Sequence, residues 1–269
     1  MHPTLRELIR ILDIETIEQN LYRGHHPEGT RGRLFGGQIM AQALMAAGRT
    51  IDEPRPPHSL HGYFLRAGDP NLPVLFSVDR IRDGRSFTTR RVAAIQHGRA
   101  IFELSASFQI AEHGLEHAPP QPDAKPPLQE DLPDTMKRRP FISFMEDYKR
   151  MLQDVPQPPR RRNWFRSNGN IDDDRQLLHA CLLTYQSDND LMSTARLPHK
   201  GAFTRERLQR ASLDHAMWFH RPARVDQWLL YALDSPSASA ARGYSRGEIF
   251  TATGEHLAST MQEGLMRKR

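Results

Sequence analysis

His61-Gly62-Tyr63-Phe64-Leu65-Arg66 returns in the second half of the chain as His215-Ala216-Met217-Trp218-Phe219-His220-Arg221. Further along, Arg90, the turn at Gly98 and the stretch around Leu104 return as Arg246, the turn at Gly254 and the stretch around Thr260, with the spacing drifting by a residue or two. A repeat of this period is domain-sized and too long for a solenoid unit. The simplest reading is two fused copies of one unit, and 269 residues accommodate two cores of about 100 residues each.

The composition is that of a water-soluble globular chain, 26% charged and 38% hydrophobic, without an apolar run of membrane-spanning length. The segment Met1-His2-Pro3-Thr4-Leu5-Arg6-Glu7-Leu8 lacks the pattern of a secretory signal, so a cytoplasmic location is expected. The single cysteine, Cys181, excludes an intrachain disulfide and suits a reducing compartment. It lies in the apolar run Leu177 to Leu183 and reads as a buried structural thiol, not a nucleophile. A net charge of +5 suits nucleic acid, an anionic surface or a polyphosphate ligand, and charge alone does not choose among them.

Outward from the repeated segment, helical spacing covers Leu5–Leu12 and strand-like alternation covers Ile14–Tyr22. The stretch Gly36–Gly48 is small or apolar on nearly every face and predicts a buried helix. Strands are expected over His58–Arg66, Pro73–Ile81, Ser86–Gln96 and Ala100–Ile110. From Glu112 to about Arg162 three Pro-Pro pairs break regular structure, with a helical pattern over Phe141–Leu152. The second unit opens with Asp172-Asp173-Asp174, acids suited to a helix N-terminus, before a largely apolar helix to Tyr185. Strands then recur at Ala211–His220, Gln227–Asp234, Ala240–Ala252 and His256–Met266. The predicted class is α+β: a double hotdog, each repeat a central helix wrapped by an antiparallel sheet, the two sheets joining edge to edge. Its expected divisions are residues 1–112, a Pro-rich linker at 113–162, and 163–269.

Gly243-Tyr244-Ser245-Arg246-Gly247 matches the G-x-S-x-G nucleophile elbow, a motif that works only at a sharp turn from strand into helix. Here it runs on as strand, so it is rejected. Gly36-Gly37 lacks the remainder of any phosphate-loop motif, yet glycines opening a helix leave N–H groups able to hold an oxyanion or phosphate; close packing is an equal alternative. Scattered histidines and the incomplete calcium-loop start Asp188-Asn189-Asp190 do not support a metal site. The basic runs Lys137-Arg138-Arg139 and Arg160-Arg161-Arg162, the latter near Trp164 and Phe165, read as solvated charge in preference to a nucleic-acid surface. One contrast between the copies stands out. The second helix exits through Tyr185-Gln186-Ser187-Asp188, whereas the first carries no acid, so one working site per chain is expected; from pattern alone Asp188 reads as a local cap.

With these residues in view, the chain resembles the acyl-CoA thioesterase II family of double-hotdog thioesterases. The likeness rests on Leu34–Gln38, His58–Asp69, Asp83–Phe87 and Arg90–Val92 in the first half, and on Leu213–Pro222, Ser237–Gly243 and Ala258–Gly264 in the second. The segment between the halves matches poorly. The resemblance implies a catalytic trio of Asp188, Ser212 and Gln262, with Ser212 standing where some members have threonine. It implies an acyl-CoA substrate, no cofactor or metal, neither nucleic-acid nor membrane partners, and assembly as a homo-oligomer, dimer or tetramer. A thioester is activated enough for direct attack by a water that a carboxylate orients and deprotonates. Asp188 is the expected base, Ser212 and Gln262 would hold the water, and an N–H near Gly36 and Gly37 would meet the oxyanion. His58 invites assignment as a base because histidine titrates near neutrality, but no acid pairs with it in sequence, so it ranks with Gly36 and Gly37 as a second-tier residue.

Two other readings share the fold. A hydratase or dehydratase of acyl thioesters would need an Asp-His pair, and no histidine adjoins Asp188 in sequence. A non-catalytic acyl-CoA-binding or nucleic-acid-binding module would have no need of the intact trio.

Overall fold

In the computed structural model, which describes residues 1–27, 29–52, 55–128, 132, 138–146, 148–202 and 207–268, the first half contains α1 (Pro3–Leu12), β1 (Glu15–Glu18), β2 (Leu21–Gly24), α2 (Gly36–Gly48), β3 (Pro57–Phe64), β4 (Val74–Asp83), β5 (Phe87–Gln96) and β6 (Arg99–Gln109). The second contains β7 (Phe141–Met145), α3 (Tyr148–Met151), β8 (Arg160–Ser167), α4 (Gln176–Ser187), α5 (Leu191–Thr194), β9 (Leu208–Ser212), β10 (Asp214–Phe219), β11 (Leu229–Ser239), β12 (Arg242–Thr251) and β13 (His256–Lys268). Lys137, in the first basic run, lies outside the described residues.

The repeated segment is the seam of the molecule. Strands β3 and β10 pair antiparallel, Ala216 opposite His61 and His215 opposite Gly62. Outward from this seam the order is β6, β5, β4, β2, β1 on one side and β13, β12, β11, β8, β7 on the other, with β9 attached to β13. Each half repeats the other's order about the seam, which makes a double hotdog. The outer strands keep period-two burial, as in β5, whose residues Thr88, Arg90, Val92, Ala94 and Gln96 face inward.

Helices α2 and α4 lie antiparallel against each other inside the curled sheet. Every residue of α2 from Gly37 to Gly48 is buried, as an all-round apolar helix requires. Its two internal amides have partners: Gln42 donates to the carbonyls of Ile11 and His25 at 2.8 and 2.7 Å, and Gln38 also reaches His25. Glycines at the two ends set the helix separation. A Cβ at Gly37 would lie 2.4 Å from the Tyr185 carbonyl, and one at Gly48 would lie 2.5 Å from Leu177.

Four expectations change. Phe141–Leu152 is not one helix: Phe141–Met145 is strand β7, paired with β8, and only Tyr148–Met151 is helical. Burying Phe141 and Ile142 on a waiting sheet edge outweighs a short helix's local preference. The segment read as linker therefore gives two strands to the sheet, and β8 runs through the expected division at 162/163. Arg160-Arg161-Arg162 alternates within β8, so Arg161 points inward while its neighbours face solvent; Trp164 and Phe165 are core residues. Ile14–Tyr22 forms a hairpin in place of a single strand, turning at Asn20 in the left-handed region.

Candidate active site

Antiparallel packing brings the C-terminus of α4 to the N-terminus of α2, and Asp188 lies where they meet. Its own helix ends there, presenting carbonyls that disfavour a negative charge, while α2 presents its positive N-terminus. The Gly37 N–H donates to Asp188 Oδ2 at 2.9 Å, and Gln262 Nε2 donates to Oδ1 at 2.7 Å. Gly36 is needed as much as Gly37, because a Cβ there would fall 2.8 Å from Asp188 Oδ2. The Asp188 side chain is only 6% exposed. Burial raises its pKa from the usual carboxylate value, opposed by the Gln262 and Gly37 hydrogen bonds and the charge of Arg33.

Asp188, Ser212 and Gly36 line one cavity of about 600 Å³ whose walls include Phe35, Ile39, Phe64 and Phe102, with Arg33 and Arg66 among its polar groups. A larger cavity, about 960 Å³, shares the Phe35 wall and is built by β7, α3 and the end of α4, including Phe141, Phe144 and Tyr185. Ser212 sits opposite Gly264 on β13, so it shares a sheet face with Gln262 two residues along. Among the described residues it forms no hydrogen bond to Asp188 or Gln262.

His58 lies elsewhere. It bonds to Ser107 Oγ at 2.8 Å and lines a separate cavity with Gln176, at the far end of α4, about 18 Å along the helix from Asp188. The Gly37 N–H, one of the two expected at the oxyanion, is committed to the Asp188 carboxylate. Ser245 lies inside β12 and is fully buried, in keeping with rejection of the elbow. Cys181 is buried, and burial pushes its thiol well up, away from thiolate chemistry. Asp190, the last residue of the calcium-like start, accepts from Arg161 at 2.6 Å and from Asn163 at 2.8 Å.

One member of the site escaped the sequence reading. His215 Nδ1 stands 4.0 Å from Asp188 Oδ1 and 3.3 Å from Gln262 Nε2, so a histidine does adjoin Asp188, in space. Its signal was its place in the repeated segment, opposite the strand that carries Gln262.

The profile described as acyl-CoA thioesterase N-terminal domain matches residues 25–109, and that described as acyl-CoA thioesterase matches residues 145–265. Acyl-coenzyme A thioesterase 8 of Mus musculus is 39% identical over 96% of this chain and 88% of its own length. The chain belongs to the acyl-CoA thioesterase family. Acyl-CoA thioesterase 2 of Haemophilus influenzae is 35% identical over 99% of both chains. The crystal structure of an acyl-CoA thioesterase II, TesB2, from Mycobacterium marinum superposes with a TM-score of 0.84 at 44% identity, over 97% of each chain. Among this thioesterase's described residues, no helix is long and apolar enough to cross a membrane.

Proposed function

We propose that this thioesterase hydrolyses fatty acyl-CoA to free fatty acid and coenzyme A by direct attack of a water that Asp188 deprotonates and that Ser212 and Gln262 orient. The observation carrying this reading is a buried carboxylate, held by a helix N-terminus and an amide, facing a largely apolar cavity that Ser212 also lines. The water's proton passes to Asp188 as its oxygen bonds to the thioester carbon. The carbonyl electrons move to oxygen, where the Gly36 N–H at the start of α2 meets the developing charge. Collapse of the tetrahedral species expels the coenzyme A thiolate, whose modest basicity makes it a good leaving group, and the proton held by Asp188 passes to that sulfur and restores the carboxylate. The positive balance of the chain favours the coenzyme's phosphates. A cytoplasmic location and assembly as a homo-oligomer complete the proposal. Release of free thiol across a chain-length series of acyl-CoA substrates tests it; binding without thiol release would reject it.

A hydratase reading gains His215 as the histidine beside Asp188. His215 has no exposure, and burial pushes its pKa down to about 3. Both ring nitrogens face protein groups, so it has no route for exchanging a proton with a substrate. Product analysis separates hydrolysis from hydration.

The base must be ionised to work, and burial raises the pKa of Asp188. Activity is therefore full above that raised value and is lost as pH falls through it. The acid limb of kcat/KM should lie above the ordinary carboxylate value of about 4. A limb at or below that value in a pH–rate profile would remove Asp188 as the base.

A further inference from the structure

We propose that His215 is a positioning residue: as the Nε2–H tautomer it holds the Gln262 amide with its NH2 toward Asp188 and its carbonyl oxygen free for the attacking water. This inference rests on the reading of Asp188 as base and adds a residue to that site.

The partners at both ring nitrogens point to one tautomer. The Ser187 hydroxyl has one proton, and it donates to the Thr184 carbonyl at 2.9 Å. Toward His215 Nε2, 3.0 Å away, Ser187 Oγ can then only accept. Nε2 carries the proton, and Nδ1 of the neutral ring is a bare acceptor. Gln262 Nε2 lies 3.3 Å from that Nδ1 and 2.7 Å from Asp188 Oδ1, so its two protons have two acceptors. The amide oxygen Oε1 is buried and has no partner among the described residues. A buried acceptor of this kind calls for a donor, and a water's hydrogen supplies one.

Asp188 alone cannot keep the amide this way round through a turnover. While ionised, it requires the NH2 side of Gln262, because the reversed amide would set two acceptors 2.7 Å apart. Once Asp188 has taken the water's proton, that requirement lapses. His215 does not change with it, since Ser187 still accepts from Nε2–H and Nδ1 still demands a donor. The amide therefore stays in place until Asp188 is deprotonated again. Tyr231 steadies the anchor, donating to the Ser187 carbonyl at 2.9 Å. Among the described residues, the titratable and charged groups facing this cluster are Asp188 itself, Arg33 through its field, and the neutral Tyr185 and Tyr231, the first in the field of Arg139 and the second in those of Asp190 and Glu248.

The test pairs two amides at position 215. In His215→Asn the side-chain oxygen can stand near the place of Nδ1, whereas in His215→Gln the amide reaches the place of Nε2 and leaves Gln262 without its second acceptor. His215→Gln should lower kcat on the order of 10- to 100-fold with KM within about twofold, and raise the acid limb of the kcat profile, because Asp188 then meets Oε1 part of the time. His215→Asn should restore most of that loss. A merely structural histidine predicts instead that both variants lose activity together, in step with their melting temperatures, and that outcome overturns the proposal. Wild-type kcat and acid limb in His215→Gln, where Asp188→Asn is inactive, also overturns it while leaving the base intact. If Asp188→Asn keeps its activity, the base assignment is what fails. Imidazole nitrogen shifts of labelled wild-type protein decide His215 without reference to turnover or to the folding of either variant: the Nε2–H tautomer at neutral pH supports the inference, and the Nδ1–H form or an imidazolium rejects it.

Discussion

Replacing Asp188 with asparagine is expected to lower kcat for acyl-CoA hydrolysis on the order of 10²- to 10⁴-fold, the usual contribution of a positioned general base. Asparagine matches the carboxylate in shape, and its side-chain oxygen can still accept the Gly37 N–H bond now made to Oδ2. What it lacks is the ability to take the water's proton. KM should change little, because the apolar walls of the cavity are untouched. Stability should change little, because the gain from removing a charge that burial disfavours is offset by an asparagine NH2 facing the Gln262 NH2 where Oδ1 now accepts. Steady-state kinetics with a thermal melt checks this, and a stable, fully active variant would disprove the mechanism.

Asp190→Ala is expected to cost about 3–5 kcal/mol of stability, the range for removing one partner of a buried ion pair. The Arg161 side chain is only 3% exposed, and its guanidinium donates to Asp190 at 2.6 Å and to Ser193 at 2.7 Å. Burial pulls the Arg161 pKa down while the Asp190 charge and hydrogen bond pull it up, so the aspartate keeps this cation tolerable indoors. Asp190 also sits at a φ of 75°, in the left-handed region, which asparagine adopts more readily than alanine. For a chain of this size the loss corresponds to a fall in Tm on the order of 10 °C. Asp190→Asn should recover the turn and leave the charge unpaired, placing it between wild type and alanine. Adding Arg161→Met to Asp190→Ala should restore much of the loss; a melt of the double variant no better than the single would show that the ion pair is not the cause.

Legibility in the sequence followed the range of the interaction. Periodicity reports which face of a segment is buried, so α2, β5 and β12 were readable from their own residues, and the repeat revealed that two such units pair. Phe141–Met145 misled because five residues carry too little periodicity to separate strand from helix, and the choice was made by β8, which offered a partner edge. Arg161 misled because a run of three arginines looks solvated until alternation in a strand turns the middle one inward. The trio was reached through family likeness; the pattern of Asp188 by itself suited a cap.

The sequence by itself determined two all-round apolar helices, two sets of alternating strands, and an acid at the exit of one helix and not the other. Only the tertiary structure decided what that acid touches. Its partner Gly37 is 151 residues away in the chain and Gln262 is 74 away, while His215 lies on the strand that forms the seam. Local pattern encodes burial and direction, but the choice of partner and the orientation of an amide or imidazole proton depend on groups that only folding brings within 3 or 4 Å.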